Sequence, residues 1–207
     1  MSKTISRRTK LSEVNNPNKR NKKFDKKSKL HNLEYIVKDL ETHDLTGEDL
    51  LKIGDNKLEV IPYHKLRDYK TIEDVLSKFG AVILLYETKQ NFGHYTALYY
   101  NNSKQLEFFD SYGFAPDQEL KYATFNLQEG IPYLTRLLKK YNKPVTYNKT
   151  RFQMWAKDIN TCGRWTSVRI RMKDKYSLNE FTQLFNKPKY FNGDFYVSAL
   201  TYLYTLK

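Results

Sequence analysis

Cys162 is the single cysteine in the 207-residue chain and the first candidate for chemistry. Asn160 and Thr161, both good capping residues, stand directly before it, and an amphipathic pattern follows, so we expect the sulfur in the first turn of a helix. Unpaired N–H groups and the dipole at a helix N-terminus favour the thiolate, which is the nucleophilic form. Gly163 has no side chain to block an extended substrate backbone from the sulfur. The segment therefore predicts a nucleophilic thiol.

A thiolate needs a proton acceptor, and His94 is the best placed of the four histidines. It follows Gly93 at the start of a predicted strand, close to the end of a buried strand. Asp110 closes the next strand, and a turn at residues 101–103 folds it back roughly opposite His94. Adjacent strands lie about 4.8 Å apart, which is within side-chain reach. We therefore predict that Asp110 accepts a hydrogen bond from one imidazole nitrogen while the other faces the thiol.

Acyl transfer also needs hydrogen-bond donors for the developing oxyanion. The backbone N–H of Cys162 is one candidate, and the side-chain amide of Gln153, a short distance upstream, is the second. Each residue taken alone has a purely structural explanation: a lone cysteine is often a small buried hydrophobe, and a histidine on a strand is often structural. Taken together, the four parts favour a cysteine hydrolase.

The elements that must position these residues follow from the hydrophobic periodicity. The continuous apolar run Ala81–Tyr86 predicts a central strand buried on both faces, and residues 94–100 and 105–110 predict an aromatic hairpin beside it. Capping patterns at Thr46, Thr71 and Ser177 predict helix starts. Further elements are predicted as helices near residues 33–40, 134–141, 162–172 and 194–206, extended chain at 60–63 and a strand at 145–148. Helices around a short sheet without regular alternation indicate an α+β fold.

Charge divides the chain into a basic N-terminal arm, residues 1–30, and a nearly neutral body. The arm holds 11 Lys and Arg against two acids, a net charge of +9, out of +13 for the whole chain. Its few large apolar residues show no period, so we expect it to be disordered when free. It either binds nucleic acid through phosphates or serves as a solubilising tail or localisation signal, and the sequence leaves both open.

Composition excludes several classes of protein. An apolar content of 40%, with 17 Tyr and 12 Phe, is too high for a wholly disordered chain. One cysteine excludes an internal disulfide framework and a thiolate zinc site, and weakly indicates a reducing compartment. No apolar run reaches the roughly 18 residues of a membrane span, and the N-terminus lacks a secretory signal, so we expect a soluble protein that is not exported by that route.

Several short motifs, taken in order, resemble those of a known protease group. They are Gly93-His94-Tyr95, Phe109-Asp110-Ser111-Tyr112-Gly113, Gln153 and Thr161-Cys162-Gly163-Arg164-Trp165. This pattern resembles the adenovirus-type maturation proteases and the related SUMO-specific proteases, and most of all the versions in virophages, polinton-like elements and large DNA viruses. The likeness spans about residues 45 to 175, and papain-like enzymes differ in presenting the cysteine first.

The resemblance implies an α+β, adenain-like fold, in which a small mixed central sheet is flanked by helices in a papain-like layout with a circularly permuted catalytic order. It implies that His94 is the general base, Asp110 its orienting partner, Gln153 an oxyanion donor and Cys162 the nucleophile. Family substrates are often cut after glycine-containing motifs, which implies a narrow cleft. The residues expected to line this cleft are Gly93, Tyr95, Trp155, Gly163 and Trp165. Core packing is the alternative interpretation of Trp165.

The sequence therefore predicts that residues 31–207 form a viral maturation cysteine endopeptidase that cleaves capsid or core precursor polyproteins. We expect a monomer without metal or other cofactor, acting in the virion and the host-cell interior, in a cytoplasmic virus factory or the nucleus, and not on a membrane. Stimulation by DNA through the arm is a further hypothesis, whereas a disulfide-linked activating peptide would consume the only thiol. Two alternatives stay open: an isopeptidase for ubiquitin-like modifiers, and a nucleic-acid-binding virion protein on an inactive protease scaffold.

Overall fold

The computed structural model describes residues 17–122, 130–186 and 190–206, and for residues 17–28 it describes the backbone alone. The chain divides into two compact units, Met1–Ile36 and Val37–Lys207. The second unit contains the sheet and every residue of the predicted catalytic site. The roles predicted for residues 1–30 and 31–207 stay predictions.

The first helix is longer than the apolar spacing predicts. Helix α1 runs Pro17–Thr42, whereas the periodic stripe begins at Leu33 and the predicted disorder extends to residue 30. Proline is favoured at the first helical position, and lysine, which is frequent after Pro17, is a good helix former, so this stretch needs no apolar face to be compatible with a helix. Residues 1–16 of the predicted arm lie outside the described residues.

The other elements follow in chain order. The helices are α2 (Gly47–Ile53), α3 (Ile72–Val75), α4 (Tyr133–Tyr141), α5 (Cys162–Met172), α6 (Leu178–Asn186) and α7 (Gly193–Thr205), and 3₁₀ helices run Tyr63–Asp68 and Gln118–Lys121. The strands are β1 (Glu59–Pro62), β2 (Ala81–Lys89), β3 (Phe92–Tyr100), β4 (Leu106–Asp110) and β5 (Val145–Tyr147). The capping boxes predicted at Thr46 and Thr71 are both present, with both reciprocal hydrogen bonds made.

The five strands form one mixed sheet in the order β1-β2-β3-β4-β5. The outer pairs, β1 with β2 and β4 with β5, are parallel, and the inner pairs are antiparallel. The apolar run at the start of β2 lies between β1 and β3 and is buried throughout, as predicted. The predicted α+β class, with a small mixed sheet flanked by helices, is confirmed. Among the described residues, no helix combines the length and apolar character needed to cross a bilayer.

Each face of the sheet carries its own hydrophobic core, because side chains alternate along the strands. On one face Ile83, Ala97 and Phe109 pack with Trp165 and Val168 of α5. On the other face the neighbouring strand residues pack against α3, α4 and the first 3₁₀ helix; they are Val82, Leu84, Leu98 and Phe108. Burial on both faces fixes the sheet as the rigid platform of the molecule.

A buried ion pair attaches α5 to this platform. Arg169 Nη2 lies 2.9 Å from Glu107 Oε2 on β4, and both side chains are almost fully buried. The Tyr99 hydroxyl on β3 donates to Glu107 at 2.7 Å and accepts from Arg169 Nε at 2.7 Å. Because the charges are paired and hydrogen-bonded, the cluster can be buried without a large net cost. It fixes α5 to the sheet about two turns away from the cysteine at the first residue of the helix.

Candidate active site

Cys162 is the first residue of α5 and is half-buried. Thr161 is the N-cap, but its side chain makes no capping hydrogen bond. The side chain of Asn160 donates instead to the carbonyl of Thr42 at 2.9 Å. The predicted capping roles of these two side chains are therefore wrong, although the predicted helix start is correct. As a result, neither of these side chains caps the N–H groups of the first turn, at the end of the helix that carries the thiol.

His94 lies between the cysteine and Asp110. Its Nε2 is 3.1 Å from Asp110 Oδ2, and the Cys162 sulfur is near enough to the ring to affect its pKa. Because Nε2 faces Asp110, Nδ1 is the nitrogen that remains for the sulfur. Burial by itself would lower the pKa of His94, but the Asp110 carboxylate and then the Cys162 sulfur raise it well above its ordinary value. The structure thus brings the three predicted residues together in the predicted order.

Asp110 reaches His94 from a different register than the sequence predicts. Its backbone partner on β3 is Thr96, so His94 lies one diagonal step further along the same face and not directly opposite. The turn between the strands explains the difference, since it spans Asn101 to Gln105 and is longer than three residues. A diagonal neighbour is about 7–8 Å away between Cα atoms, which His and Asp side chains still bridge.

Three hydrogen bonds hold Asp110 in place. Its Oδ1 accepts the backbone N–H of Tyr112 at 2.6 Å, as in an Asx turn. The side chain of Asn148, which follows β5, accepts the Asp110 N–H at 3.0 Å and donates to the Asp110 carbonyl at 2.6 Å. These two bonds extend the hydrogen bonding between β4 and β5 by one residue. The Asp110 side chain is fully buried. Its position is therefore set by the backbone of Tyr112 and by the side chain of Asn148.

Gln153 is buried below the loop that leads to Cys162. Its Oε1 accepts from Ser111 Oγ at 2.8 Å, and its Nε2 donates to the carbonyl of Ile159 at 3.0 Å. An amide NH₂ group has two N–H bonds, so one remains beyond the bond to Ile159. The predicted role as an oxyanion donor stays a prediction that requires this second N–H.

A narrow groove of about 30 Å³ opens beside the sulfur. It is lined by Asp44, Leu45, Asn91, Phe92, Gly93, Tyr95, Asn160, Cys162 and Gly163, which include three of the five residues expected in the cleft. Packing constrains Gly163 in addition to the predicted role, which stays a prediction. A Cβ there would lie 2.9 Å from Leu50 Cδ2 and 3.3 Å from Tyr95 Cδ2, so a larger residue would force side chains of α2 and β3 to move.

Trp155 and Trp165 have opposite environments. Trp155 is 58% exposed and its ring lies 4.7 Å from that of Tyr112, which stacks on His94 at 4.9 Å. The prediction that Trp165 lines the cleft is wrong. Its ring is fully buried against Phe152 and Phe185, with Nε1 donating to Asp194 at 2.8 Å. Phe114 and Tyr122 extend the exposed aromatic wall that begins at Tyr112.

Glu119, on the second 3₁₀ helix, is a site residue that the sequence does not reveal. Its Oε1 lies 3.7 Å from His94 Nε2 and has no hydrogen-bond partner among the described residues. Burial raises the pKa of Glu119 to about 7, with His94 opposing the rise and Asp110 adding to it. Nothing in the local pattern around Glu119 distinguishes it from a surface acid, because only the fold brings it to the imidazole.

His94, Asp110 and Glu119 are also the three side chains, among those described, whose donor atoms lie close enough to hold a metal ion, all within 4.8 Å. One histidine nitrogen and two carboxylates suit a divalent metal. A metal on Nε2 would displace the hydrogen bond between His94 and Asp110. Catalysis without a metal therefore stays a prediction.

The fold and the site define an α+β protein with a thiol, an imidazole and a carboxylate in contact at one end of a mixed sheet. No family model matches the chain. Over 143 residues it is 42% identical to "Uncharacterized protein V9" of Sputnik virophage, and the match covers 66% of this chain and 82% of that protein. The chain therefore belongs to the same family as this virophage protein. The expected relation to virophage proteins is confirmed, and the relative's name specifies no activity.

Proposed function

We propose that the protein is a cysteine endopeptidase that cleaves capsid or core precursor proteins during assembly of a viral particle. One observation carries the proposal: the imidazole of His94 is hydrogen-bonded to Asp110, and the sulfur of Cys162, at the start of α5, is near enough to raise the pKa of the same imidazole. A cysteine with only a packing role does not need a buried histidine oriented by a buried carboxylate. The resemblance to adenovirus-type maturation proteases supports the same conclusion.

The chemistry follows from these contacts. The Cys162 sulfur attacks the carbonyl carbon of the scissile peptide bond, and the oxyanion is bound by the Cys162 N–H and a Gln153 N–H. The C–N bond breaks, His94 gives its proton to the leaving amine, and a thioester remains on Cys162. Water then gives a proton to His94 and attacks the thioester, which releases the carboxylate product and restores the thiolate with the imidazolium.

The groove and the aromatic wall suggest how a peptide binds. The groove beside the sulfur is narrow, with a volume of about 30 Å³, which favours a residue with little or no side chain and so supports cleavage at glycine-containing motifs. The exposed ring of Trp155, which contacts the Tyr112 ring stacked on His94, offers a flat apolar surface near the site. Tyr and Trp rings of this kind bind peptides well because they bury large area with few rotamers.

Virion proteins produced with the wild-type enzyme and with Cys162→Ala test the proposal directly by mass spectrometry. We expect the wild type to yield shortened precursors with new termini at one motif, and the variant to leave them intact. The thermal midpoints of the two proteins should agree within a few degrees, since the sulfur is only half-buried. Identical products from both proteins would refute the proposal.

Two controls separate the alternatives. A ubiquitin-like modifier with a C-terminal fluorogenic amide should be a poor substrate; rapid release of the fluorophore with no precursor cleavage would favour an isopeptidase. A peptide vinyl sulfone should label Cys162 at neutral pH, whereas an inactive scaffold would not react.

We also propose that the basic arm recruits DNA to the enzyme. Its net charge of +9 in 30 residues gives a salt-sensitive, sequence-independent affinity for phosphates. Cleavage should be faster with double-stranded DNA at low salt, and the gain should vanish at high salt. If double-stranded DNA at low salt does not change the cleavage rate, this part of the proposal is wrong.

A further inference from the structure

Asp194, in the first turn of α7, is a buried carboxylate that the catalytic chemistry above does not use. It is fully buried. Its Oδ1 accepts from the Thr161 hydroxyl and, at 2.8 Å, from Trp165 Nε1. Its Oδ2 accepts the backbone N–H of Met154 at 2.9 Å. One carboxylate thus joins the start of α7 to the loop before α5 and to α5 itself.

No lysine, arginine or histidine of the described residues forms an ion pair with Asp194. A buried carboxylate without a cation is costly unless several donors surround it. Three hydrogen bonds and the N-terminal end of the 13-residue helix α7 compensate for that cost here. An apolar residue at position 194 would avoid the cost of burying a charge. Packing alone therefore does not explain why a carboxylate with these three donors is found there.

The three donors flank the two groups proposed to bind the oxyanion. Met154 directly follows Gln153, and Thr161 directly precedes Cys162. Trp165 lies one turn further along α5. Its backbone N–H donates to the Thr161 carbonyl and so closes the first turn of the helix. Asp194 therefore connects the loop that carries the amide of Gln153 with the helix end that carries the N–H of Cys162.

We infer that Asp194 is a positioning residue that holds the two oxyanion donors at a fixed separation. This inference rests on the proposed cysteine-protease function and deepens it. Oxyanion binding is sensitive to such positioning, because the donors must lie about 2.7–3.1 Å from an oxygen that exists only during the reaction. The orientation of His94, which sets the reactivity of the thiol, does not depend on this bridge, since Asn148 and Tyr112 hold Asp110, the partner of the imidazole.

The test separates acyl transfer from simple nucleophilicity. Alkylation of Cys162 by iodoacetamide needs the reactive thiol but no oxyanion donor, whereas precursor cleavage needs both. For Asp194→Asn we expect kcat to fall about 10- to 100-fold, a part of the 10²- to 10³-fold that loss of a whole oxyanion donor costs. KM and the alkylation rate should change less than about threefold. Thr161→Val and Trp165→Phe, which each remove one donor, should lower kcat less.

Tyr99→Phe is the matched control. It removes a buried hydroxyl from the Arg169–Glu107 cluster, which attaches α5 to the sheet. It should therefore lower the thermal midpoint about as much as Asp194→Asn does, while kcat stays unchanged. A full kcat in Asp194→Asn would overturn the inference, and so would a parallel fall of kcat and alkylation, because both show that Asp194 acts only on the fold. If the wild type alkylates but cleaves no precursor, the proposed function itself fails, and the inference fails with it.

Discussion

Replacing Asp110 with Asn tests the orientation of the imidazole more sharply than removing the thiol does. Asp110 Oδ1 accepts the Tyr112 N–H at 2.6 Å, so the carbonyl oxygen of an asparagine must occupy that position. The asparagine NH₂ then faces His94 Nε2, which must become an acceptor. The imidazole proton moves to Nδ1, where it faces the sulfur of Cys162, and the ring can no longer accept the thiol proton.

The size of the loss follows from these two changes. A hydrogen bond to a charged group is worth about 1.5–3 kcal/mol, or roughly 10- to 150-fold in rate. The wrong tautomer increases the loss toward the roughly 10⁴-fold that the same substitution costs in a serine-protease triad. We therefore expect kcat for precursor cleavage to fall by at least about 10²-fold while KM changes little.

Glu119 supplies an internal check on this reasoning. Its Oε1 is 3.7 Å from the same Nε2, and burial raises the pKa of Glu119 to about 7. Above that pH its carboxylate can accept the Nε2 proton in place of Asp110. The ratio of Asp110→Asn to wild-type activity should therefore rise between pH 6 and pH 8.5, and the double variant with Glu119→Gln should lose the rise. Full activity of Asp110→Asn, or a ratio independent of pH, would refute the reasoning.

Three further substitutions test the packing around the site. Burial raises the pKa of Glu119 from 4.5 to about 7, so the folded state binds its proton more tightly than the unfolded state and stability falls as pH rises through this range. Glu119→Gln should therefore raise the free energy of unfolding by up to about 3 kcal/mol at pH 8 but not at pH 4.5, and equal increases at both pH values would contradict this. Gly163→Ala should lower the free energy of unfolding in urea by about 1–3 kcal/mol, because its Cβ would lie 2.9 Å from Leu50 Cδ2, and a Leu50→Ala background should reduce the loss. Arg169→Leu should cost about 3–5 kcal/mol by leaving Glu107 buried and unpaired, and adding Glu107→Leu should recover much of it in the same denaturation assay.

Local signals predict the elements of this fold well. The β-branched run at the start of β2 and the capping boxes at Thr46 and Thr71 act within a few residues, and all three predictions are confirmed. The start of α5 at Cys162 follows from the apolar spacing after it. These patterns succeed because backbone hydrogen bonds and side-chain alternation are decided locally.

The site is predicted less completely, since its contacts join distant segments. The register between His94 and Asp110 depends on the length of a turn that dipeptide chemistry does not fix. The helical spacing of Trp165 is the same whether the residue lines the cleft or packs in the core. Its burial is decided by the positions of α6 and α7, which the spacing does not predict. Glu119 and Asp194 carry no sequence signal at all, because an acid becomes functional here only through neighbours 25 or more residues away.

The distribution of buried polar groups is the strongest physical reason to expect activity from this scaffold. The charges of Arg169 and Glu107 are paired with each other, and the pair has a structural role because it attaches α5 to the sheet. Glu119 is not satisfied: its buried Oε1 has no hydrogen bond within the part of the chain that the structure describes, and its raised pKa records first the cost of burial and then the repulsion from Asp110. Natural proteins retain such a cost mainly where charge must be redistributed during a reaction. Placed beside the only thiol, the cost is explained if His94 must become an imidazolium and give its proton away again in every catalytic cycle.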